Sequence, residues 1–215
     1  MNDYLPLLKA YLKNNRHFWF ALYIPVLIML FAAVERLVPE DAEYWVSYIS
    51  LDDAIPFWEV FVVPYCLWFP YLIGTGLFLM FTDKEGFLKF MAFVITGFTV
   101  SLLFCALVPN GQNLRPAAFE RENVFIWLLG RIYAADTCTN VFPSMHVMGC
   151  AATAAAAFRS EKMRRFRLTS LVLAVLISAS TVLVKQHSLL DVIGGAVLGT
   201  VLYLCIYVIP WVRRR

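Results

Sequence analysis

The sequence predicts an all-α polytopic membrane protein with six transmembrane helices, and three observations support this fold class. Hydrophobic residues make up 61% of the chain and charged residues 15%, against about 45–50% and about 25% in an average soluble domain. Six apolar stretches are each long enough to approach the roughly 20 helical residues that cross a bilayer. Most Lys and Arg residues fall on one side of the predicted membrane. This composition excludes a cytosolic enzyme, a disordered chain and a nucleic-acid-binding module.

The six apolar stretches contain no Asp, Glu, Lys or Arg, and His146 is their single histidine. They cover residues 18–34, 60–82, 90–108, 141–158, 168–184 and 192–212. The first stretch is predicted to be a retained span rather than a cleaved signal peptide, because no small-residue cleavage site follows it. Residues 1–215 are therefore predicted to form a single six-span membrane domain.

The distribution of Lys and Arg assigns a side to each connection. With a cytoplasmic N-terminus and six alternating spans, 13 of the 18 basic residues fall inside, among them Lys9 and residues 213–215. The five outside are Arg36, Arg115, Arg121, Arg131 and Lys185. This bias agrees with the positive-inside rule, so both termini are predicted to be cytoplasmic.

Several features of the spans and their connections complete the predicted architecture. The connection between the third and fourth spans, residues 109–140, is the longest, and its apolar middle, residues 123–133, is predicted to be an interfacial helix. Prolines interrupt the second span, which favours either a bent wall of a lipid-facing cleft or a kinked packing helix. The small residues at 151–157 and the pair Gly195 and Gly199 predict close helix packing in the fourth and sixth spans.

Polar groups at the outer ends of spans are the first candidates for chemistry, because ionisable groups at membrane depth are costly. Arg115 follows the third span, although by itself it suits a solvated or headgroup-bound arginine equally well. Ser144 and His146 begin the fourth span, with Asn140 as a candidate cap, and the free N–H groups of such a helix start attract anions. The alternative for this stretch is a capped helix with a buried, hydrogen-bonded histidine.

The connection between the fifth and sixth spans holds the third candidate group. His187 and Asp191 are four residues apart, which places them on one face of a helical turn. A carboxylate beside an imidazole fixes its tautomer and stabilises its cation, an arrangement that activates nucleophiles. Ser188 and Asp191 also match a capping box for the last helix, and the two roles are compatible.

All three groups lie on the same predicted side of the membrane at similar depth. Together they suit a phosphate monoester: arginine contacts two phosphate oxygens at once and a helix N-terminus holds another. One histidine attacks the phosphorus and the other protonates the leaving oxygen. Lys185, two residues before His187, adds a cation to this group.

The order and spacing of these residues resemble the type-2 phosphatidic acid phosphatase superfamily. Its members carry the blocks K-x6-R-P, P-S-G-H and S-R-x5-H-x3-D. The similar residues, within about 108–191, are Arg115-Pro116, Pro143-Ser144-Met145-His146 and His187-x3-Asp191. The third block is most similar to the branch that includes inositolphosphotransferases and bacterial lipid phosphatases.

The resemblance implies a phosphoryl transfer that uses no metal and no cofactor. His187 would attack the phosphorus and form a phosphohistidine, and Asp191 would orient it. His146 would act as general acid on the leaving group and then as base for the acceptor water. Arg115 and Ser144 would hold the phosphate.

The chain departs from the family pattern at three positions. Val108 stands where the family has Lys, Met145 where it has Gly, and Thr181 where it has Arg. Lys185 is one helical turn from Thr181 and is expected to replace that charge and bind phosphate. Fewer cations than in a typical member argue against a pyrophosphate substrate and leave transfer to an alcohol open.

The sequence thus predicts an integral membrane phosphatase that acts on a lipid phosphate monoester. The alternatives are a phosphotransferase that moves a phospho-headgroup to an alcohol, and a non-catalytic lipid binder or transporter on the same scaffold. The expected partners are the lipid substrate and membrane lipids, with no nucleic acid. The oligomeric state is not predicted. The expected location is a bacterial cytoplasmic membrane with the site at its outer face.

Overall fold

Helices dominate the computed structural model, which describes residues 13–37 and 43–212, and this confirms the predicted all-α class. The basic residues Lys9 and 213–215 lie outside the described residues. The α-helices are α1 (Tyr23–Leu37), α2 (Val62–Cys66), α3 (Trp68–Thr82), α4 (Lys84–Leu107), α5 (Val124–Ala135), α6 (Met145–Arg159), α7 (Arg167–Leu183), α8 (Leu189–Tyr203) and α9 (Ile209–Val212). Four 3₁₀ segments (Arg16–Leu22, Ser50–Ala54, Glu59–Phe61 and Glu161–Phe166) and a π-helical turn (Leu204–Val208) extend or connect them.

Five helical segments of the described chain are long and apolar enough to cross a membrane. They are Arg16–Arg36, Glu59–Thr82, Lys84–Leu107, Glu161–Leu183 and Leu189–Val208. The remaining predicted span, residues 141–158, is represented by α6, which has 15 residues and measures about 22 Å at 1.5 Å per residue. The segments have the composition of an integral membrane protein, and the structure contains five of the six helices of spanning length that the sequence predicts.

The second span is bent, as its prolines predict. Pro64 and Pro70 are each the third residue of their helix, α2 and α3, and a missing N–H costs no hydrogen bond in a first turn. Leu67 separates the two helices. The prolines therefore coincide with an interruption of the predicted span at Leu67, and each lies where a helix needs no N–H donor.

Side-chain caps explain where α4 and α5 begin. The Asp83 carboxylate accepts a hydrogen bond from the Gly86 amide at 2.9 Å, so α4 starts before the apolar stretch that the sequence marks. Asn123 accepts from the amides of Phe125 and Ile126 at 2.9 and 3.0 Å and caps α5. Each acceptor pairs donors that a helix start otherwise leaves unsatisfied. Helix α5 is apolar and has 12 residues, in agreement with the predicted non-spanning helix.

Helix α6 lies at the centre of the bundle and packs on α3, α4, α7 and α8. Its small residues and those of α8 allow a close approach, as the sequence predicts. A Cβ atom added to Gly199 would lie 2.7 Å from the Ala151 Cβ, and one added to Gly195 would lie 2.6 Å from the Ser144 carbonyl oxygen. Both distances are shorter than van der Waals contact, so glycine is required at these crossings.

We expect Gly195→Ala to lower the free energy of unfolding by about 1–3 kcal/mol, as overpacking of a close contact does. The added methyl group would push against backbone rather than against a side chain that can rotate away. The matched control is Gly74→Ala in α3, where nothing lies within 4 Å of the new methyl group. Thermal unfolding of both proteins in detergent measures the difference, and an equal melting temperature would contradict the close approach.

Three connections meet at one end of the bundle in a small strand arrangement that the sequence does not predict. Strand β1 (Trp45–Val46) pairs in parallel with β2 (Asn110–Gly111), and Gly111 forms an antiparallel bridge with Thr139. The Asn110 side chain also accepts from the Phe142 amide at 2.8 Å. These bonds tie the connections that follow α1, α4 and α5 together directly before α6.

Candidate active site

His187 and Asp191 form a bonded pair at the start of α8. Asp191 is fully buried, and its Oδ2 lies 3.3 Å from His187 Nδ1 and accepts from the Ser188 amide at 2.9 Å. Ser188 Oγ accepts from the Asp191 amide in return, so the predicted capping box is present together with the imidazole contact. A carboxylate only accepts hydrogen bonds, so we assign the ring proton of His187 to Nδ1, which leaves Nε2 as an acceptor that faces His146.

Ser47 is a partner of Asp191 that the motifs do not indicate. Its hydroxyl is fully buried, donates to Asp191 Oδ1 at 2.5 Å and lies 2.9 Å from Ser188 Oγ. Asp52 from the same connection accepts from the Leu189 amide at 2.8 Å. The connection between α1 and α2 therefore closes over the N-terminus of α8 and holds the Oδ1 atom of Asp191.

His146 lies on the first turn of α6, beside His187. Its Nδ1 is 3.4 Å from His187 Nε2, and the two ring centroids are 5.5 Å apart. The rings of Tyr65 and Trp68 lie 4.7 and 4.5 Å from the His146 ring, and Trp68 Nε1 donates to the His146 carbonyl at 3.1 Å. The kinked second span thus fixes the imidazole from one side, and His187 contacts it from the other.

Both histidines line a cavity of about 410 Å³ whose walls differ in chemistry. Its apolar wall includes Leu27, Ile28 and Phe31 of α1 and Phe69 of α3. Ile28 and Phe69 are 63% and 57% exposed on the outside of the bundle. The bent second span is therefore a wall of a cleft that reaches the lipid-facing surface, which is one of the two expectations stated for its prolines.

Arg115 does not line this cavity. Its guanidinium donates to the carbonyls of Tyr133, Asp136 and Thr137 at 2.7–3.3 Å and to Gln186 Oε1 at 2.5 Å. The side chain holds the end of α5 in place and reaches the site only through Gln186, which neighbours His187. Its contacts in the structure are those of a positioning residue, and its contact with phosphate stays a prediction.

Lys185 and Ser144 do not line the cavity either. Lys185 has a φ of 54°, so it leaves the helical path, and its ammonium donates to the carbonyls of Asp52 and Ile55 at 3.1 and 2.7 Å. Burial lowers the pKa of Lys185, which the carboxylates of Asp52 and Asp53 partly offset. The Lys185 ammonium is therefore bonded to backbone carbonyls, and its role in place of the family cation at position 181 stays a prediction.

Ser144 caps α6, and Asn140 does not. The Ser144 hydroxyl accepts from the Val147 amide at 3.4 Å, and its own amide donates to the Asp191 carbonyl at 3.1 Å. Asn140 instead has a φ of 59° in the turn before α6, a conformation that asparagine tolerates. Ser144 is fully buried and does not line the cavity, so it joins the two helices that carry His146 and His187.

The motifs do not indicate two further residues of the cavity, Gln186 and Asp136. Gln186 lies within the third motif and bonds to Arg115, to Tyr65 and to Asp136. Asp136 ends α5 and faces the cavity; burial raises its pKa, and the nearby His187 partly offsets this. The polar run from Asp136 to Asn140, directly before the second motif, is the signal in the sequence that marks this wall.

Comparison with known proteins gives one match. The family model of the PAP2 superfamily matches residues 94–215, which include the later part of α4, all of α5 to α9, His146, His187 and Asp191. Neither a curated protein nor a solved structure matches the chain. The superfamily includes phosphatases and phosphotransferases. With more than half of its length matched, and with the motif residues gathered around one cavity, the chain belongs to the PAP2 superfamily.

Proposed function

We propose that the protein is a membrane phosphatase that hydrolyses a lipid phosphate monoester through a phosphohistidine on His187. The observation that carries this proposal is the bonded series Ser47–Asp191–His187 with His146 3.4 Å beyond it. Asp191 holds the proton on Nδ1, which leaves the His187 Nε2 lone pair available beside the cavity. A second imidazole at this distance is placed to move a proton to and from the reacting oxygens.

The reaction proceeds in two displacements. His187 Nε2 attacks the phosphorus, the bond from phosphorus to the lipid oxygen breaks, and His146 gives its proton to that oxygen. His146 then takes a proton from water, the water oxygen bonds to phosphorus, and the N–P bond breaks. Free phosphate leaves and both imidazoles return to their first state. Asp191 stabilises the imidazolium charge that His187 develops in each step.

The apolar wall of the cavity suits the lipid part of the substrate. Residues of α1 and α3 extend from the histidines to side chains that are exposed on the outside of the bundle. An acyl chain in this cleft would bury its methylene groups at about 0.8 kcal/mol each, while the phosphate reaches the two imidazoles. This arrangement supports an amphiphilic substrate that enters from the bilayer.

The charge distribution supports a site at the outer face of the membrane, which we propose to be a bacterial cytoplasmic membrane. The basic residues at the start of α4 and in the α6–α7 connection lie at the end of the bundle away from the histidines, where Ser160 Oγ donates to Asp83 at 2.6 Å. By the positive-inside rule that end is cytoplasmic. We take α6, with its largely buried preceding residues 141–144, as the fourth of the six predicted spans.

A phosphotransferase is the second candidate function, because part of the cavity wall is polar enough to bind an acceptor alcohol. Asp136, Thr137 and Asn140 line the cavity near the histidines, and such a polar wall suits an acceptor alcohol. A non-catalytic lipid binder is the third candidate function. It is favoured by the hydrogen bonds of Arg115 to backbone carbonyls, which leave this cation without a contact to the cavity. The same experiment separates all three.

We expect the purified protein in detergent to release labelled phosphate from a long-chain lipid phosphate and to continue after chelation of divalent metals. Glycerol 3-phosphate, which lacks the chain, should react more slowly by about a hundredfold or more, because each buried methylene contributes about 0.8 kcal/mol. Label in a new lipid would identify the transferase. Lipid binding without release or transfer would identify the binder and contradict both enzymatic assignments.

A further inference from the structure

One wall of the histidine cavity consists of hydrogen-bond acceptors. Asp136, Thr137 and Asn140 line it, all from the segment that connects α5 to α6. Asn140 is 6% exposed, and its Oδ1 has no hydrogen-bond partner among the described residues. A buried acceptor left unpaired costs free energy unless a ligand or water pairs with it. This oxygen would gain a partner from a ligand donor that reaches it.

The other groups on this wall are held in place by bonds that leave further acceptors. Glu35 accepts from Thr137 Oγ1 at 2.6 Å and from Asn140 Nδ2 at 2.9 Å, which fixes both side chains. Asp136 Oδ2 accepts from Gln186 Nε2 at 3.1 Å, and a carboxylate has acceptor capacity for more than one donor. The wall is rigid, and its remaining capacity is for accepting hydrogen bonds.

The charges around the wall disfavour a second phosphate group. Neither Lys nor Arg is among the described residues that line the cavity, and Asp136 repels an additional anion. The carboxylates of Asp136 and Glu35 adjoin this wall, and the guanidinium of Arg115, bonded to the Asp136 carbonyl and to Gln186, partly balances their charge. Carboxylate and amide oxygens of this kind accept hydrogen bonds from hydroxyl groups.

We propose that Asp136 and Asn140 form a specificity site for an alcohol that carries at least one free hydroxyl group next to its phosphate ester. The inference rests on the proposed function, because the same histidines must deliver or remove the phosphoryl group. The alcohol is either the one that leaves or the one that accepts. In both cases its additional hydroxyl donates to Asp136 and to the unpaired Asn140 Oδ1.

The test compares two single-chain lipids, 1-acyl-glycerol 3-phosphate and its 2-deoxy analogue, which differ by one hydroxyl group. We expect the wild-type protein to favour the hydroxyl-bearing lipid by about tenfold in kcat/KM, the scale of one paired buried acceptor. Asp136→Asn and Asn140→Ala should each reduce this ratio toward one. Asp53→Asn, an exposed carboxylate bonded to Tyr48, is the matched control and should keep the wild-type ratio.

The ratio separates specificity from folding, because a damaged fold lowers the turnover of both lipids alike. A second experiment adds glycerol or 1-propanol at equal concentration and measures transfer of the phosphoryl group to each alcohol. If the site binds the accepting alcohol, glycerol should be the better acceptor. A wild-type ratio near one in both arms would overturn the inference while His187-dependent turnover remains.

Lipid binding tests the same preference without turnover. We expect the hydroxyl-bearing lipid to raise the melting temperature of His187→Ala more than the deoxy lipid does, even if no phosphate is ever released. Equal stabilisation by the two lipids would overturn the inference on its own. An ethanolamine phosphate lipid that binds better than either would also overturn it, in favour of a cation site.

Discussion

His187→Ala should reduce phosphate release by about four to six orders of magnitude, as removal of a nucleophile from a cooperating set does. Alanine removes the Nε2 lone pair that would attack phosphorus. Among the described cavity residues, the other imidazole, that of His146, is assigned to proton transfer and does not replace the nucleophile. Rapid quenching with labelled substrate measures the consequence directly. The wild-type protein should carry an acid-labile, alkali-stable label on histidine, and the variant should carry none.

His146→Ala distinguishes the roles of the two imidazoles. A general acid raises the reaction rate by a factor of about 10²–10⁴, and it does so only where the leaving group needs a proton. The variant should lose activity on a lipid phosphate but recover most of it on an aryl phosphate with a good leaving group. His187→Ala should recover nothing. His17→Gln is the matched control, since His17 is buried between α3 and α4, bonded to the Met80 carbonyl, and its variant should remain active.

Retained turnover by His187→Ala, with a melting temperature close to that of the wild type, would show that His187 is not the nucleophile. Loss of activity in His17→Gln together with an equal loss in the site variants would instead point to a folding defect. The melting temperatures in detergent separate these results.

Asp191→Asn should lower kcat by about a thousandfold to ten-thousandfold, the scale seen when a carboxylate that orients a catalytic imidazole becomes an amide. The amide has one acceptor oxygen for the three donors that Asp191 now accepts, from His187, Ser47 and Ser188. Its NH₂ group favours the tautomer that protonates His187 Nε2. The nucleophilic lone pair would then face away from the cavity, while substrate binding changes little.

Ser47→Ala provides the graded comparison for Asp191. It removes one donor from the carboxylate and leaves the contact with His187 in place, so the expected loss of kcat is smaller than for Asp191→Asn. Nitrogen-15 NMR of the labelled histidines reports the tautomer of His187 in each protein. An unchanged tautomer in Asp191→Asn, or a kcat equal to that of the wild type, would contradict the orienting role.

The membrane class, most helices and the site histidines were accessible from the sequence because they depend on local chemistry. Apolar length predicts the helices, and prolines 64 and 70 predict the bend between α2 and α3. The spacing of His187 and Asp191 predicts their contact, since residues four apart meet on a helical turn. Each of these inferences uses neighbours within one element, where the geometry is known in advance.

The tertiary structure decided everything that depends on side-chain direction between distant segments. Ser47 reaches Asp191 across 144 positions of the chain, and no local pattern encodes such a contact. Lys185 and Arg115 carry the charge that a phosphate site needs, yet their hydrogen bonds to backbone carbonyls turn them away from the cavity. The sequence shows that these two side chains are charged. Whether each charge bonds to buried carbonyls or faces a ligand depends on how distant segments pack, because a buried charge must find a partner.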